Sequence, residues 1–420
     1  MPYTDHQQVF LGRQPILDRE QQLLAYELLF RNGPISTGNR AEILDPTHAT
    51  ATVITNAFTE FSVSDVLGPY RGFINVDYEL LFSDLIEVLP QQVVVLEILE
   101  HVEPTPEVLA RCQQLRDKGF TLAVDDVVQA GTDYCPLLAL AEIIKVDILQ
   151  LDAEQLQGLV ARLKPLGKTL LAEKVETVEQ QALCQRLGFD LFQGYFFAKP
   201  TIIVGKRLNP SQLALLRLLG LLMEDAETSE VERAFKLEAG LTVNMLRLTN
   251  SVSGGMMSKI TSLRHAITVL GRRQLLRWVQ LLIYVTPKGG TQASNPLLQL
   301  AATRGRLMEL LADRLHSRNR EFTEHAFMVG IISLMPTLLG VAMAEILAQL
   351  PVVPRVEQAL TSYGGQIGDL LRLVEATEQI DPLATETALL ALPGIKAEWL
   401  SACIAQALIW TTQLHQEAAA

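Results

Sequence analysis

Between Val9 and about Pro200 the chain alternates short, almost wholly apolar runs with helical stretches. The runs Gly72-Phe73-Ile74-Asn75-Val76, Val93-Val94-Val95-Leu96-Glu97, Thr121-Leu122-Ala123-Val124-Asp125, Ile143-Ile144-Lys145-Val146-Asp147 and Thr169-Leu170-Leu171-Ala172-Glu173 are β-rich. Each carries a polar or charged residue at or beside its end. Continuous apolar runs suit parallel strands covered on both faces, and strands alternating with helices suit a barrel or a doubly wound sheet. The number of runs favours a (β/α) TIM-like barrel. After Pro200 the texture changes to Leu-, Ala- and Met-rich sequence with few β-branched runs. Asn209-Pro210 reads as a helix cap and first helical position, Gly240 and Gly271 as helix stops, and Gly289-Gly290 as a loop. The pattern predicts an α/β barrel domain over residues 1–203 and an all-α domain over residues 204–420, with residues 201–208 as the linker.

Composition narrows the class of function. A length of 420 residues suits two domains, and 49% apolar with 20% charged residues excludes a disordered or collagen-like chain. The net charge of −12 argues against a standing grip on nucleic acid, which needs clustered Lys and Arg, but leaves room for a nucleotide held through metal ions. Cys112, Cys135, Cys184 and Cys403 lack the close pairs of a zinc site in a chain too long to need disulfide staples, so a reducing cytoplasm is expected. Met1-Pro2-Tyr3-Thr4-Asp5 carries no mark of a secretory signal. Ala326 to Ala344 is free of charge and long enough to span a membrane. Gly330, Ser333, Pro336, Thr337 and Gly340 within it point instead to two buried helices, so no membrane binding is expected.

The polar residues of the first half fall where a barrel would gather them. The C-terminal strand ends of such a barrel converge on one mouth, which would collect Glu27, Asn75, Glu97, Asp125, Asp126, Lys145, Glu173 and Gln193. Any one of these, alone, is more often a solvated loop residue than a functional one. Together, five carboxylates around one opening repel one another unless cations neutralise them. Their all-oxygen character suits Mg2+ or Mn2+ rather than zinc. A two-metal phosphoryl-transfer site is the simplest chemistry that needs this set.

These residues resemble the EAL domain of cyclic di-GMP phosphodiesterases. Gln14-Pro15-Ile16 is similar to the family's opening Q-P-I, and Glu27-Leu28-Leu29-Phe30-Arg31 to its E-x-L-x-R. Asn75 sits in its asparagine strand, Glu97-Ile98-Leu99-Glu100 matches E-x-x-E, Asp125-Asp126 the double aspartate and Lys145-Val146-Asp147 K-x-D. Glu173-Lys174-Val175-Glu176 resembles E-G-V-E, and Gln193-Gly194-Tyr195 with Pro200 matches Q-G-Y ending in proline. The resemblance implies Glu27, Asn75, Glu97, Asp125 and Asp126 as metal ligands, Glu173 as a metal-linked general base, and Lys145 as the group orienting water or phosphate. Gln14, Arg31, Glu176 and Gln193 are implied as ligand contacts. The implied reaction is metal-dependent, in-line attack of water on cyclic di-GMP, giving linear pGpG.

Departures from the family pattern bear on turnover. Where the family continues F-G-T-G-Y after the double aspartate, a loop that helps order the metals and a dimer interface, this chain reads Val127-Val128-Gln129-Ala130-Gly131-Thr132-Asp133-Tyr134. Leu28 and Lys174 replace a small alanine and a glycine. Lys174 either fills part of the pocket or points to solvent.

The second half resembles the HDOD domain, a relative of HD phosphohydrolases that lacks their metal site. The carriers are Leu246-Arg247-Leu248-Thr249-Asn250-Ser251 and the stretch from Ser262 through Gly271. Where HD enzymes carry G-L-L-H-D, this chain reads Gly330-Ile331-Ile332-Ser333-Leu334, without either ligand. His265, His316 and His325 read as packed or solvated histidines, and Arg272, Arg273 and Arg277 as a solvated helix face. Two readings follow. One is a weak phosphodiesterase coupled to a non-catalytic helical domain that binds an unknown protein partner, with a homodimer implied by the family's loop. The other is a catalytically silent scaffold, responsive to cyclic di-GMP or independent of it.

Overall fold

In the computed structural model the chain forms two units, Met1–Lys199 and Pro200–Ala420. The structure describes residues 9–32, 67–127, 135–198, 210–224, 226–236, 263–284, 295–379 and 381–419. The expected boundary at 203/204, its linker, Gly240, Gly289-Gly290, residues 246–251 and most of the altered loop, 128–134, lie outside them.

Among the described residues of the first unit, eight strands close into a barrel in sequence order. They are β1 (Val9–Leu17), β2 (Leu23–Asn32), β3 (Arg71–Val76), β4 (Val94–Ile98), β5 (Thr121–Val124), β6 (Ile143–Asp147), β7 (Thr169–Glu173) and β8 (Leu191–Gln193). From β2 to β8 all neighbours are parallel, whereas β1 runs antiparallel to both β2 and β8. Length explains this reversal, because only residues 18–22 join β1 to β2 and a parallel crossover needs a dozen residues or more. Asp18 Oδ1 accepts from the backbone N–H of Glu20 and Gln22 at 3.0 and 2.8 Å and closes that turn.

The crossover helices include α1 (Tyr78–Phe82), α2 (Pro106–Asp117), α3 (Cys135–Leu140), α4 (Ala153–Leu163) and α5 (Val178–Leu187). Thr105 caps α2, while Asp152 with Gln155 and Thr177 with Gln180 form capping boxes on α4 and α5. Inside the barrel, Ile16, Ala25, Phe73, Val95, Ala123, Ile143, Leu171 and Leu191 form one buried apolar cluster, one residue from each strand. Side chains two apart on a strand share a face, so this ring is the floor on which the next inward-facing residues stand.

The second unit is helical: α6 (Pro210–Met223), α7 (Thr228–Lys236), α8 (Leu263–Leu282), α9 (Pro296–Leu315), α10 (Arg320–Ile332), α11 (Met335–Leu339), α12 (Met343–Leu347), α13 (Pro354–Ser362), α14 (Gly365–Glu378), α15 (Pro382–Leu390) and α16 (Ala397–Ala419). Gly271 ends a helical stretch as expected: its non-helical backbone, at a φ of 72° that glycine adopts without steric cost, makes a kink within α8, and a second helical stretch begins beyond it. Residues 320–339 are long and apolar enough to cross a membrane, but 72% of that apolar window is buried within the helical unit. The reason is a close helix crossing: a Cβ on Gly330 would sit 2.7 Å from Gly305 Cα, so α9 and α10 meet backbone to backbone.

Beside that crossing lies Arg304, 2% exposed. Its guanidinium donates to Glu378 Oε1 at 2.9 Å, Glu375 Oε1 at 3.0 Å and Ser333 Oγ at 2.8 Å, while the Tyr363 hydroxyl donates to the other oxygen of Glu375 at 2.8 Å. Ser333, standing where an HD enzyme would place a metal ligand, thus serves a permanent organic cation. Arg304→Leu should cost about 3–5 kcal/mol in chemical denaturation, because it strands two carboxylates. Adding Glu375→Gln and Glu378→Gln should return part of that loss.

Candidate functional site

Two residues along each strand from the apolar floor, toward the barrel mouth, stands a polar residue: Gln14 on β1, Glu27 on β2, Asn75 on β3, Glu97 on β4, Lys145 on β6, Glu173 on β7 and Gln193 on β8, with Asp125 just past β5. Strand pairing places Gln14 opposite Glu27, Asn75 beside Glu97 and Asp147 beside Glu173. The period of two that keeps the floor apolar therefore also assembles the ring above it.

The ring closes on Lys145, which has no exposure to solvent. Its Nζ lies 2.5 Å from Glu97 Oε1, 2.7 Å from Glu173 Oε1, and 3.3 Å from both Glu27 Oε2 and Asp125 Oδ1. Gln193 Nε2 donates to Glu27 Oε2 at 2.5 Å and to Gln14 Oε1 at 2.8 Å. Gly194 makes this placement attainable: at φ 146° its α-carbon lies so near Val175 that a Cβ would fall 2.0 Å from the Val175 oxygen. In return Val175 N–H donates to the Gln193 carbonyl at 2.9 Å, which locks β8 against the end of β7.

Electrostatically the ring is incomplete. Four carboxylates face one ammonium. Burial, opposed by Lys145 and reinforced by the neighbouring acids, pushes Glu97 well above the ordinary carboxylate range and Glu173 up to about 8. Burial would lower Lys145, but the acids around it outweigh that and raise its pKa, so it stays charged. Asn75 Oδ1, Glu97 Oε2, Asp125 Oδ1, Glu173 Oε2 and Gln193 Oε1 are buried acceptors without a hydrogen-bond donor among the described residues. Of these, Asp125 Oδ1 has the Lys145 ammonium in ion-pair range; the others need a donor or a cation to satisfy them.

Two groups of acids bring oxygens within 4.8 Å of one another: Glu27, Glu97 and Glu173, and Glu100, Asp125 and Asp126. An all-oxygen donor set of this kind fits hard divalent cations. Asp126 adopts φ 46° and its pKa is raised, by burial first and by Asp125 second.

Of the other residues named from sequence, Gln14 and Gln193 join the ring, as above. Glu176 is exposed in the turn leading to α5 and does not enter the close-packed set. Arg31 lies in β2 opposite Phe10, and its side chain is outside the described residues. Two participants escaped sequence assignment. Glu100 was visible as the second glutamate of E-x-x-E, and Asp147 as the last residue of K-x-D. Asp147 is 2% exposed and accepts from Leu149 N–H, Gln150 Nε2 and Lys174 Nζ at 2.9, 2.9 and 2.5 Å. Burial alone would raise its pKa; these donors, Lys174 foremost, bring it below the ordinary value. Lys174 adopts φ 54°, a left-handed conformation that suits the family's glycine and costs a lysine roughly 1–2 kcal/mol, offset here by the ion pair. Its side chain is half-exposed and reaches back to Asp147 rather than into the ring.

A closed (β/α) barrel whose mouth is a ring of oxygen donors defines a class, and the comparisons narrow it. The EAL domain family matches residues 5–200 and the HDOD domain family residues 211–351. Over 376 residues the chain is 31% identical to the uncharacterized protein YuxH of Bacillus subtilis, covering 88% of this chain and 90% of that one. Over 412 residues it is 30% identical to the cyclic di-GMP phosphodiesterase CdgJ of Vibrio cholerae, covering 97% and 93%. Klebsiella pneumoniae BlrP1, solved as a manganese and cyclic di-GMP complex, is 24% identical with a TM-score of 0.39, over 47% of this chain and 57% of that one. The chain belongs to the EAL–HDOD family of cyclic di-GMP signalling proteins.

The raised Glu173 sets a pH dependence. Its folded-state value of about 8 exceeds the ordinary 4.5, so its contribution to stability is complete below about pH 4.5 and lost as pH rises through 8. In chelator, the barrel's melting temperature should fall from about pH 6 to about pH 9, and Glu173→Gln should remove roughly 3 °C or more of that fall. A pH profile identical in the two proteins would show that Glu173 ionises normally.

Proposed function

We propose that the barrel is a slow, divalent-cation-dependent phosphodiesterase that opens cyclic di-GMP to linear pGpG in the cytoplasm, and that the helical unit is a non-catalytic module for a protein partner. The observation that carries this reading is the set of oxygens on Asn75, Glu97 and Glu173 without a donor among the described residues, at a mouth with excess negative charge. Glu27, Asn75, Glu97, Asp125 and Asp126 would hold Mg2+ or Mn2+, with Glu100 close enough to share the second group. Such cations, when bound, supply positive charge to a phosphodiester and acidify water near it.

The protein's own groups do the rest. Glu173 Oε2, without a hydrogen-bond donor among the described residues, is placed to accept the proton of an attacking water when cations at the mouth offset the burial and acid repulsion that otherwise keep Glu173 protonated. Lys145 keeps its charge and holds Glu97 and Glu173 in place through short contacts. Gln193 and Gln14 form the polar wall on the β1–β8 side, where a guanine base or phosphate would be recognised. The loop at 127–134, which departs from the family's sequence, is the reason for expecting a low rate, since small misplacements at such sites cost orders of magnitude.

Full-length protein with Mn2+ or Mg2+ and cyclic di-GMP should yield pGpG, and Glu173→Ala should eliminate the product while retaining nucleotide binding. Binding without product over many hours at high enzyme concentration would favour the silent, ligand-responsive scaffold. Separately, millimolar Mn2+ should raise the melting temperature of wild type, and Asp125→Asn with Glu97→Gln should abolish that rise. A wild type indifferent to both cations would exclude a working metal site.

A further inference from the structure

The helical unit contains a cleft of 340 Å³ that the barrel chemistry does not use. Its floor and one wall come from α8, its other walls from α6, α10 and the segment before α13. The size falls at the lower end of the range for small-molecule sites. Leu222, Leu276, Met328 and Val353 make one side apolar. Arg272, Arg273 and Arg277 face it with three guanidiniums against the single lining carboxylate of Glu324.

The arginines are held in position by the fold. Arg272 donates to the Ala226 carbonyl, Arg273 pairs with Glu324, and Arg277 pairs with Glu309 while lying 4.6 Å over the ring of Phe327. The kink at Gly271 redirects the axis of α8 just before all three. Two further lining groups have polar atoms that nothing among the described residues satisfies. Gln280, 1% exposed, has a buried Nε2 with no acceptor, and His325 has a buried Nδ1 with no hydrogen-bond partner, the Glu321 carboxylate being 3.9 Å away. A buried amide donor without an acceptor is destabilising, and a ligand oxygen entering the cleft beside it would relieve that cost.

We infer that this cleft is a binding site for a small organic phosphate, whose phosphate meets Arg272, Arg273 and Gln280 and whose apolar body lies against Leu276, Phe327 and Met328. Two guanidiniums and an amide, all supplied by α8, offer more N–H donors than the two coplanar oxygens of a carboxylate can take and suit the three terminal oxygens of a phosphate better. The basic cluster on α8 is then one wall of a pocket rather than a solvated helix face. This site is independent of the phosphodiesterase reading of the barrel.

The test is calorimetric titration of the full-length protein, in chelator, with phenyl phosphate, inorganic phosphate and benzoate. Phenyl phosphate should bind saturably and at least about tenfold more tightly than either of the other two. Arg273→Gln, at a half-exposed side chain, and Gln280→Leu, which removes the orphaned amide and should not weaken the fold, should each reduce that affinity about tenfold or more. Asp125→Asn with Glu97→Gln at the barrel mouth should leave it unchanged. The inference is overturned if phenyl phosphate shows no saturable binding at about 10 mM, if benzoate binds equally well, or if both cleft variants bind like wild type while retaining its melting temperature.

Discussion

A single buried ammonium organises the barrel. Lys145 has no solvent to solvate its charge, and four carboxylates converge on it from β2, β4, β7 and the end of β5. If all four were ionised, one positive charge would face four negative ones, an excess that a low-dielectric interior does not sustain. Protons on Glu97 and Glu173 relieve it without metal, and divalent cations would relieve it with metal. The apolar floor beneath decides that it must be relieved chemically, because close-packed Phe73, Val95, Ile143 and Leu171 leave the acids anchored to strands that cannot splay apart.

The helical unit meets a similar problem with the opposite outcome. Arg304 is buried like Lys145, yet it faces only two carboxylates, one of them partly exposed, with a serine hydroxyl and Tyr363 completing the hydrogen bonds, so the excess negative charge is far smaller. A hydrogen-bonded network of that kind rigidifies a core and has little call on an external ion. An acid-rich ring with orphaned oxygens has such a call. This contrast in charge gives a physical reason to expect cation binding at the barrel mouth rather than at Arg304.

Much of this was legible in the sequence because strands report themselves with a period of two. Once Phe73, Val95, Ala123, Ile143 and Leu171 are read as inward, the residue two further on must also face inward, and these residues are Asn75, Glu97, Asp125, Lys145 and Glu173. The short link between β1 and β2 likewise dictates a hairpin. Helix starts carry their own capping residues, as Thr177 with Gln180 illustrates in the structure. Gly271 was readable in the same way: its non-helical φ of 72° breaks α8 at a kink.

What the sequence determined, then, was the inventory and the faces: which residues stand inward on each strand, where helices begin, and that the acids outnumber the bases at one mouth. Tertiary structure decided the partners. Lys174 turning back to Asp147, Gln193 bridging Gln14 and Glu27, Arg304 reaching Glu375 and Glu378, and Arg277 pairing with Glu309 all join elements distant in the chain. Local periodicity extends over a few residues, whereas these contacts are set by barrel closure and by the angles at which helices cross, which are properties of the packed whole.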